Sequence, residues 1–140
     1  LVPIGKANIV LEGSDLTLIT FSKPLRVTLE AAEALAQKGI QAEVIDLRSI
    51  RPLDEETLYA SVRKTGRCIV IDEAWPMASV GSHVAWLISK NCFDTLDAQV
   101  ELVSGEDVPM PYNHGLELLA QPSARKIIDA AKKVLYREDL

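Results

Sequence analysis

The segment IVIDEAWPMASVGSH, residues 69–83, decides how this chain folds. It opens on three β-branched residues, Ile69 to Ile71, which predict a short buried strand. Two carboxylates, Asp72 and Glu73, close that strand, and a Trp-Pro loop then leads to a helix that begins at Ser79. A strand that runs through a loop into a helix is the repeating unit of an open α/β sheet, in which ligands and partners usually bind where the strands end. We therefore expect a functional surface at this point.

Outward from this unit, the pattern of apolar residues predicts four strands that are each followed by a helix. The strands fall at 16–21, 42–47, 68–72 and 100–104, and the helices at 24–38, 54–66, 80–90 and 123–136. A long loop over 105–122 separates the last strand from the last helix. Because the strands and helices alternate, the connections are right-handed crossovers and the sheet is mainly parallel, with helices on both faces.

One further strand is predicted at 7–11, before the alternation begins. Only the short turn 12–15 separates it from the next strand, which predicts an antiparallel pair at the edge of the sheet. The fold class is therefore α/β, a three-layer α/β/α arrangement with a five-stranded, mostly parallel sheet and one antiparallel edge strand. Residues 1–6 are predicted to be an interdomain linker, and residues 7–140 a single domain.

Composition narrows the classes of function. The 140 residues are 48% apolar and 25% charged, which is ordinary for a globular protein, and the net charge is −5. A negative chain without a basic stripe is not expected to bind nucleic acid. No apolar run reaches the ~18 residues that a membrane-spanning helix needs. Cys68 and Cys92 are interpreted as small buried residues in a reducing compartment, because no second pair exists to form a disulfide or zinc framework.

Motifs for catalysis and cofactor binding are missing. No G-x-G-x-x-G or P-loop follows the strand at 16–21, so a dinucleotide site is not predicted. Ser82 and His83 are adjacent and point about 100° apart on a helix, which places them poorly as a nucleophile and base. We interpret Ser79 as a helix cap and His83 as a half-buried or interface residue. Two histidines far apart in the sequence do not predict a metal site.

Asp72 and Glu73 resemble an acid–base pair, but consecutive strand residues face opposite sides of a sheet. The structural interpretation, which we favour, is that one carboxylate caps a neighbouring helix while the other pairs with Arg48 or Arg51. The alternative is a substrate-anion site at this edge. Gly81, at the start of a helix, would let an anion approach free N–H groups. Close helix packing explains that glycine equally well.

The run Asp107-Val108-Pro109-Met110-Pro111-Tyr112 is a stiff loop, because its two prolines each fix φ and remove a donor. Met110 and Tyr112 either form a contact surface or cover the domain's own core, and the residues do not decide between these two roles. Trp75 and Met77 lie in the other loop at the same predicted edge. Together the two loops would make one apolar patch, which indicates a protein partner.

Several of these stretches, in this order and spacing, resemble one family. They are PIGKA at 3–7, AEVIDLR at 42–48, PLD at 52–54, KTGR at 64–67, DEAWP at 72–76, VG at 80–81 and DVPMPY at 107–112. The resemblance is to the C-terminal domain of the beta subunits of thiamine-diphosphate-dependent pyruvate dehydrogenases, within the wider transketolase family. It covers essentially the whole chain. Ala74, where glycine is common, Ser82-His83, and the tail 136–140 depart from the family pattern.

The resemblance implies an α₂β₂ enzyme that decarboxylates a 2-oxo acid, most closely pyruvate, on thiamine diphosphate and transfers the acyl group to a lipoyl group. It implies that the cofactor and its Mg are bound outside this domain, so that no catalytic, cofactor-binding or metal residue lies in this chain. The implied partners are the alpha subunit, a second beta subunit and the dihydrolipoyl acyltransferase core. The implied location is the bacterial cytoplasm or the mitochondrial matrix.

Within this resemblance, the chain is expected to be an assembly domain that is not active alone. The alternative is a free-standing small-anion-binding α/β domain or enzyme that uses Asp72, Arg48 and the helix start at Gly81. The candidate subunit-interface residues are Asp72, Glu73, Trp75, Met77, Gly81, His83, Asp107, Pro109, Met110 and Tyr112.

Overall fold

The computed structural model describes residues 1–140, which form five strands and five α-helices. The strands are β1 (Asn8–Leu11), β2 (Leu16–Thr20), β3 (Ala42–Asp46), β4 (Cys68–Ile71) and β5 (Glu101–Val103). The helices are α1 (Leu25–Gln37), α2 (Glu55–Thr65), α3 (Val80–Asn91), α4 (His114–Ala120) and α5 (Ala124–Leu135), with a 3₁₀ turn at Phe93–Thr95.

The strands form one sheet in the order β1-β3-β2-β4-β5. β2, β3, β4 and β5 are parallel, and β1 is an antiparallel strand at one edge. The predicted fold class is therefore confirmed. Because β2 leads to β3 on one side and β4 leads to β5 on the other, the direction of the connections reverses between β2 and β4, where open α/β sheets usually form a crevice.

The partner of β1 differs from the prediction. The first strand does not form a hairpin with β2; it pairs with β3, which lies between them. The turn after β1 crosses the start of β3, where the amides of Ser14 and Asp15 both donate to the carbonyl of Gln41 at 3.0 Å. A Cβ on Gly13 would lie 2.3 Å from the backbone of Ala42 and Glu43, so only glycine fits this crossing. Four extended residues reach ~13 Å, enough to pass over one strand at a spacing of about 4.8 Å.

Both faces of the sheet are buried, which explains why the strands are continuous apolar runs. On one face, Leu18, Val44 and Ile69 pack in a core that also contains residues of α1 and α5. On the other face, Ile19 and Ile45 pack with residues of α2 and α3. Cys68 and Cys92 are buried free thiols in this second core, as predicted, and burial raises the pKa of both.

Helix α4 lies inside the segment predicted to be a loop. It has seven residues, of which only Ala120 is buried, so it lacks the apolar periodicity that marks a longer helix. Asn113, whose side chain accepts from the amide of Leu116, is the one signal in the sequence that could have located it. Helix α1 has no side-chain cap: Pro24 occupies its N-cap position, and Ser22, two residues earlier, has a φ of 60°.

Asp54 caps α2 and also holds the segment before β1. Its carboxylate accepts from the amide of Thr57 at 3.4 Å and from the amide of Ala7 at 2.9 Å. Lys6 lies 3.8 Å away, and Gly5 packs against Pro52. Burial by itself would raise the pKa of Asp54, but these hydrogen bonds outweigh it, so the pKa lies below its usual value.

We expect Asp54→Asn to flatten the dependence of stability on acid pH. Because the folded pKa of Asp54 is lowered, its contribution is fully present above the unfolded value of about 3.9 and is lost as the pH falls through the folded value. Urea denaturation of wild type and variant between pH 3 and pH 7 measures this difference. Asp107→Asn, which removes an exposed carboxylate, is the control and should leave the slope unchanged.

Candidate functional site at the carboxyl edge of the sheet

The carboxyl edge is the edge at which β2, β3, β4 and β5 end, and Asp72 is its central buried group. Asp72 is 2% exposed. One carboxylate oxygen accepts from the amide of Ala74 at 2.9 Å, and the other accepts from the amide of Gly81 at 2.7 Å. The side chain of Ser79 accepts from the amide of Ser82 at 3.0 Å. The interpretation of Asp72 and Ser79 as residues that cap a helix is confirmed.

Gly81 is a packing residue. A Cβ at this position would lie 2.8 Å from the Cβ of Asp72 and 3.0 Å from Leu102, so helix α3 approaches the sheet more closely than a side chain would allow. The amide of Gly81 already donates to Asp72, and therefore it is not free to bind an anion. The structure supports the packing interpretation of this glycine over the anion-binding one.

The predicted pairing of Glu73 with Arg48 or Arg51 is wrong. Arg48 lies 3.7 Å from Asp46, two residues before it, and Glu73 is exposed and forms no salt bridge. The physical reason is that Arg48 turns back to Asp46. Past the end of β4 at Ile71, Asp72 is buried beneath α3 while Glu73 is exposed.

Two loops rise from this edge and are joined at their bases. The first loop is residues 72–79, and the second is residues 104–113, which leads into α4. The amide of Gly105 donates to the carbonyl of Ala74 at 3.0 Å, and the amide of Glu106 donates to the carbonyl of Ala120 at 2.9 Å. The Lys126 ammonium, 2.7 Å from Glu106, lowers the pKa of that carboxyl group. The second loop is thus anchored to the first loop and to the helices after it.

Exposed apolar side chains concentrate at this edge. Of the 18 large apolar residues that are exposed, 12 lie on the two loops, on α4, or on the neighbouring segments at the start of the chain and after β3. They are Leu1, Val2, Ile4, Ile50, Trp75, Met77, Val108, Met110, Tyr112, Leu116, Leu118 and Leu119. Tyr112 is fully exposed and Met110 is 56% exposed, so the interpretation that they cover the domain's own core is wrong.

The ten predicted interface residues divide into two groups. Asp72 and Gly81 are buried, where they hold α3 against the sheet. The other eight are exposed: Glu73, Trp75, Met77, His83, Asp107, Pro109, Met110 and Tyr112. His83 is not half-buried as one alternative had it; it stacks on Trp86 with ring centroids 5.9 Å apart. Contact of these residues with other subunits stays a prediction. Sequence reasoning missed the three leucines of α4 because it missed the helix.

Comparison with known proteins places this arrangement in a family. The family model described as "Transketolase, C-terminal domain" matches residues 5–127. The chain belongs to the transketolase C-terminal domain family. A split-gene transketolase, solved as an inactive β4 tetramer, superposes on this domain with a TM-score of 0.79 and 30% identity, over 94% of this chain and 42% of that one.

Two curated relatives of this transketolase C-terminal domain are pyruvate dehydrogenase E1 beta subunits. The pyruvate dehydrogenase E1 component subunit beta of Rickettsia bellii is 50% identical over 135 residues, which are 96% of this chain and 42% of that protein. The mitochondrial subunit beta-1 of Arabidopsis thaliana is 50% identical over 136 residues, 97% of this chain and 38% of that protein. The chain therefore spans about two fifths of the length of these relatives.

The residues of this transketolase C-terminal domain offer no ready site for a magnesium–diphosphate group. Mg²⁺ at a phosphate needs only one or two carboxylates, but the buried carboxylate at the carboxyl edge, that of Asp72, is already committed to two amides, and no cluster of three His, Cys, Asp or Glu side chains is present. Each helix also falls short of the length and apolarity that crossing a membrane demands.

We expect Asp72→Ala to lower the free energy of unfolding of this domain by about 2–3 kcal/mol, because it leaves two amides without their acceptor. Chemical denaturation followed by circular dichroism measures the loss. Glu73→Ala is the matched control: it removes the adjacent, exposed carboxylate and should change stability by less than ~0.5 kcal/mol. Equal losses in the two variants would contradict the capping role of Asp72.

Proposed function

We propose that this chain is the C-terminal assembly domain of a 2-oxo acid dehydrogenase beta subunit, with pyruvate as the substrate of the whole enzyme. The relatives named pyruvate dehydrogenase E1 component subunit beta, half identical to nearly all of this chain, support the proposal. Proteins that are 50% identical share a fold, and this identity also supports the same role in the assembled enzyme. Since the relatives include Rickettsia and mitochondrial proteins, we place the enzyme in the bacterial cytoplasm or the mitochondrial matrix.

The observation that carries the assembly role is the exposed apolar surface at the carboxyl edge. A monomeric domain of this size rarely exposes so many large apolar side chains together, because each exposed side chain forgoes the stabilisation that burial would give. Trp75, Met77 and Tyr112 have the residue types that are enriched at the centres of interfaces. In the proposed α₂β₂ enzyme they pack against the alpha subunit and the second beta subunit, and the dihydrolipoyl acyltransferase core is a further partner.

In the proposed enzyme, thiamine diphosphate and Mg would be held outside this domain and would supply the decarboxylation chemistry there, with lipoyl-acyltransferase as the acceptor of the acyl group. The residues of this chain have structural roles in the proposed enzyme. Asp72 and Gly81 hold α3 against the sheet, and the two linked loops present an apolar surface to the neighbouring protein.

A free-standing anion-binding domain or enzyme, the second candidate, would need Asp72, Arg48 and the α3 start available to a ligand. Asp72 and the Gly81 amide are bonded to each other at 2.7 Å, and Arg48 is paired with Asp46. These internal partners favour the assembly role.

Titration calorimetry tests the cofactor assignment. We expect the 140-residue chain to give no heat of binding with thiamine diphosphate and Mg, while the complete α and β assembly binds them. Circular dichroism must first show that the chain is folded. Tight binding by the folded chain alone would refute the proposal that the cofactor site lies elsewhere.

Two tryptophans of nearly equal exposure provide a matched test of the interface. Trp75, at the carboxyl edge, is 52% exposed, and Trp86, on the outer face of α3, is 54% exposed. In the complete enzyme, we expect Trp75→Ala combined with Met77→Ala to weaken subunit association at least tenfold, because truncating a buried aromatic anchor costs more than ~1.4 kcal/mol. Analytical ultracentrifugation measures the association.

Trp86→Ala, alone, should leave the assembly unchanged. If the Trp75 and Met77 double variant assembled like wild type while Trp86→Ala did not, the interface would lie on α3, and the role proposed for the carboxyl edge would be wrong.

A further inference from the structure

A buried carboxylate lies beneath α2, away from the two loops of the carboxyl edge. Glu43 belongs to β3, which has a strand on each side, and it is completely buried. One of its carboxylate oxygens accepts from the hydroxyl of Ser61 at 2.8 Å, and the other accepts from the ammonium of Lys64. Both partners belong to α2, so this carboxylate joins the helix to the sheet.

Lys64 is the salt-bridge partner of Glu43. It lies in the last turn of α2, and 46% of its side chain is exposed, whereas the side chain of Glu43 is 1% exposed. The second ion pair of Lys64, at 3.5 Å, is with Glu12, whose carboxylate is mostly exposed. A buried carboxylate that loses its counter-ion is costly, because neither water nor another charge replaces it. The charge on one half-exposed side chain therefore decides whether Glu43 can stay buried.

The other lysines of the chain lack this relationship. Lys6 lies 3.8 Å from the buried Asp54, but that carboxylate also accepts from Ala7 and Thr57, so it keeps donors without Lys6. Three further lysines pair with carboxylates that stay partly exposed: Lys126, Lys132 and Lys133. Lys64 is thus the lysine whose charge the folded domain depends on most.

We propose that Lys64 is an acylation-sensitive site, at which an acyl thioester traps the domain in an opened form. In this step the neutral amine of Lys64 attacks the thioester carbonyl carbon. The C–S bond breaks as the N–C bond forms, and the amine proton leaves with the thiol. The product is an uncharged amide, which no longer neutralises Glu43. The inference rests on the proposed function for the source of the thioester, since transfer of an acyl group to a lipoyl sulfur makes one.

The ion pair also controls when this step occurs. Only a neutral amine is a nucleophile, and the hydrogen bond that Lys64 donates to Glu43 raises the pKa of Lys64. The closed pair therefore keeps the nitrogen protonated, and acylation proceeds from molecules in which α2 has opened locally from β3. Once acylated, the side chain opposes closure, so the opened population accumulates.

Acetylation kinetics on the complete enzyme test the protective role of the pair. The enzyme is incubated with acetyl-coenzyme A, and mass spectrometry follows each lysine in buffer and in urea that unfolds the protein. In buffer, we expect Lys64 to react at least about tenfold more slowly than the exposed Lys38, because reaction requires opening. In urea the two rates should be similar. Equal rates in the folded enzyme would overturn the inference, because the pair would then give no protection.

Variants of the complete enzyme test the consequence of losing the charge. Lys64→Gln removes the charge as acylation does, and hydrogen exchange of the peptide covering 42–47 should become at least about tenfold faster. Lys38→Gln is the matched control and should leave that exchange unchanged. Glu43→Gln combined with Lys64→Gln should restore most of the protection, since no buried charge then lacks a partner.

Unchanged exchange in Lys64→Gln would refute the role of Lys64. So would a loss of protection that the double variant does not restore, because the lost charge would then not be its cause. These measurements report on β3 and α2, and the association measurement for Trp75 and Met77 reports on the carboxyl edge. Failure of the proposed function would therefore appear in the association measurement and leave the lysine measurements as they are.

Discussion

The carboxylate of Asp72 is the interaction on which the candidate site depends. It is buried at the end of β4, and it accepts one amide from the loop that follows and one from the first turn of α3. A buried negative charge is tolerated only where hydrogen bonds replace the water that it has lost, and the positive end of a helix supplies such a place. Through these two bonds one side chain sets where the strand ends, how the loop turns and where the helix begins.

Backbone hydrogen bonds to the first loop set the position of the second loop. The backbone of Asp72 continues the ladder to β5 by donating to Val103, and Gly105 then donates to Ala74, so the bases of the two loops run side by side. A Cβ on Gly105 would lie 2.5 Å from the carbonyl oxygen of Glu73, which excludes larger residues from that contact. The backbone thus fixes the bases of the loops that carry Trp75, Met77, Met110 and Tyr112, all of which lie outside the core.

This arrangement explains why residue types that often carry catalysis have structural roles here. An aspartate, a serine and a glycine at the end of a parallel strand are common in active sites, because that edge is where ligands bind in α/β proteins. In this chain Asp72 accepts from the amide of Gly81 and Ser79 accepts from the amide of Ser82, so both side chains are used to hold the start of α3. The proposed assembly role of the edge rests on its exposed apolar side chains.

The local elements were predictable where one residue type decides the structure by itself. Asp54 and Ser79 cap helices, Gly66 adopts the left-handed conformation that ends α2, and the β-branched runs form strands. Helix α4 was not predictable from periodicity, because an exposed seven-residue helix buries no stripe. That one of the two carboxylates caps a helix was predictable from the sequence, but the missing partner of Glu73 depended on Arg48, which turns to Asp46.

The sequence by itself determined the class of fold, since apolar periodicity and turn residues are local properties that specify each strand and helix in order. Tertiary structure alone decided that β3 inserts between β1 and β2, because that choice depends on a distant strand passing beneath Gly13. It also decided which apolar residues stay exposed. The residue types of Met110 and Tyr112 are compatible with covering a core and with binding a partner. Only the packing of the rest of the chain shows that both are exposed. Burial is a property of the whole chain, and for that reason the sequence could predict an apolar patch at this edge while only the assembled structure shows that its side chains are exposed.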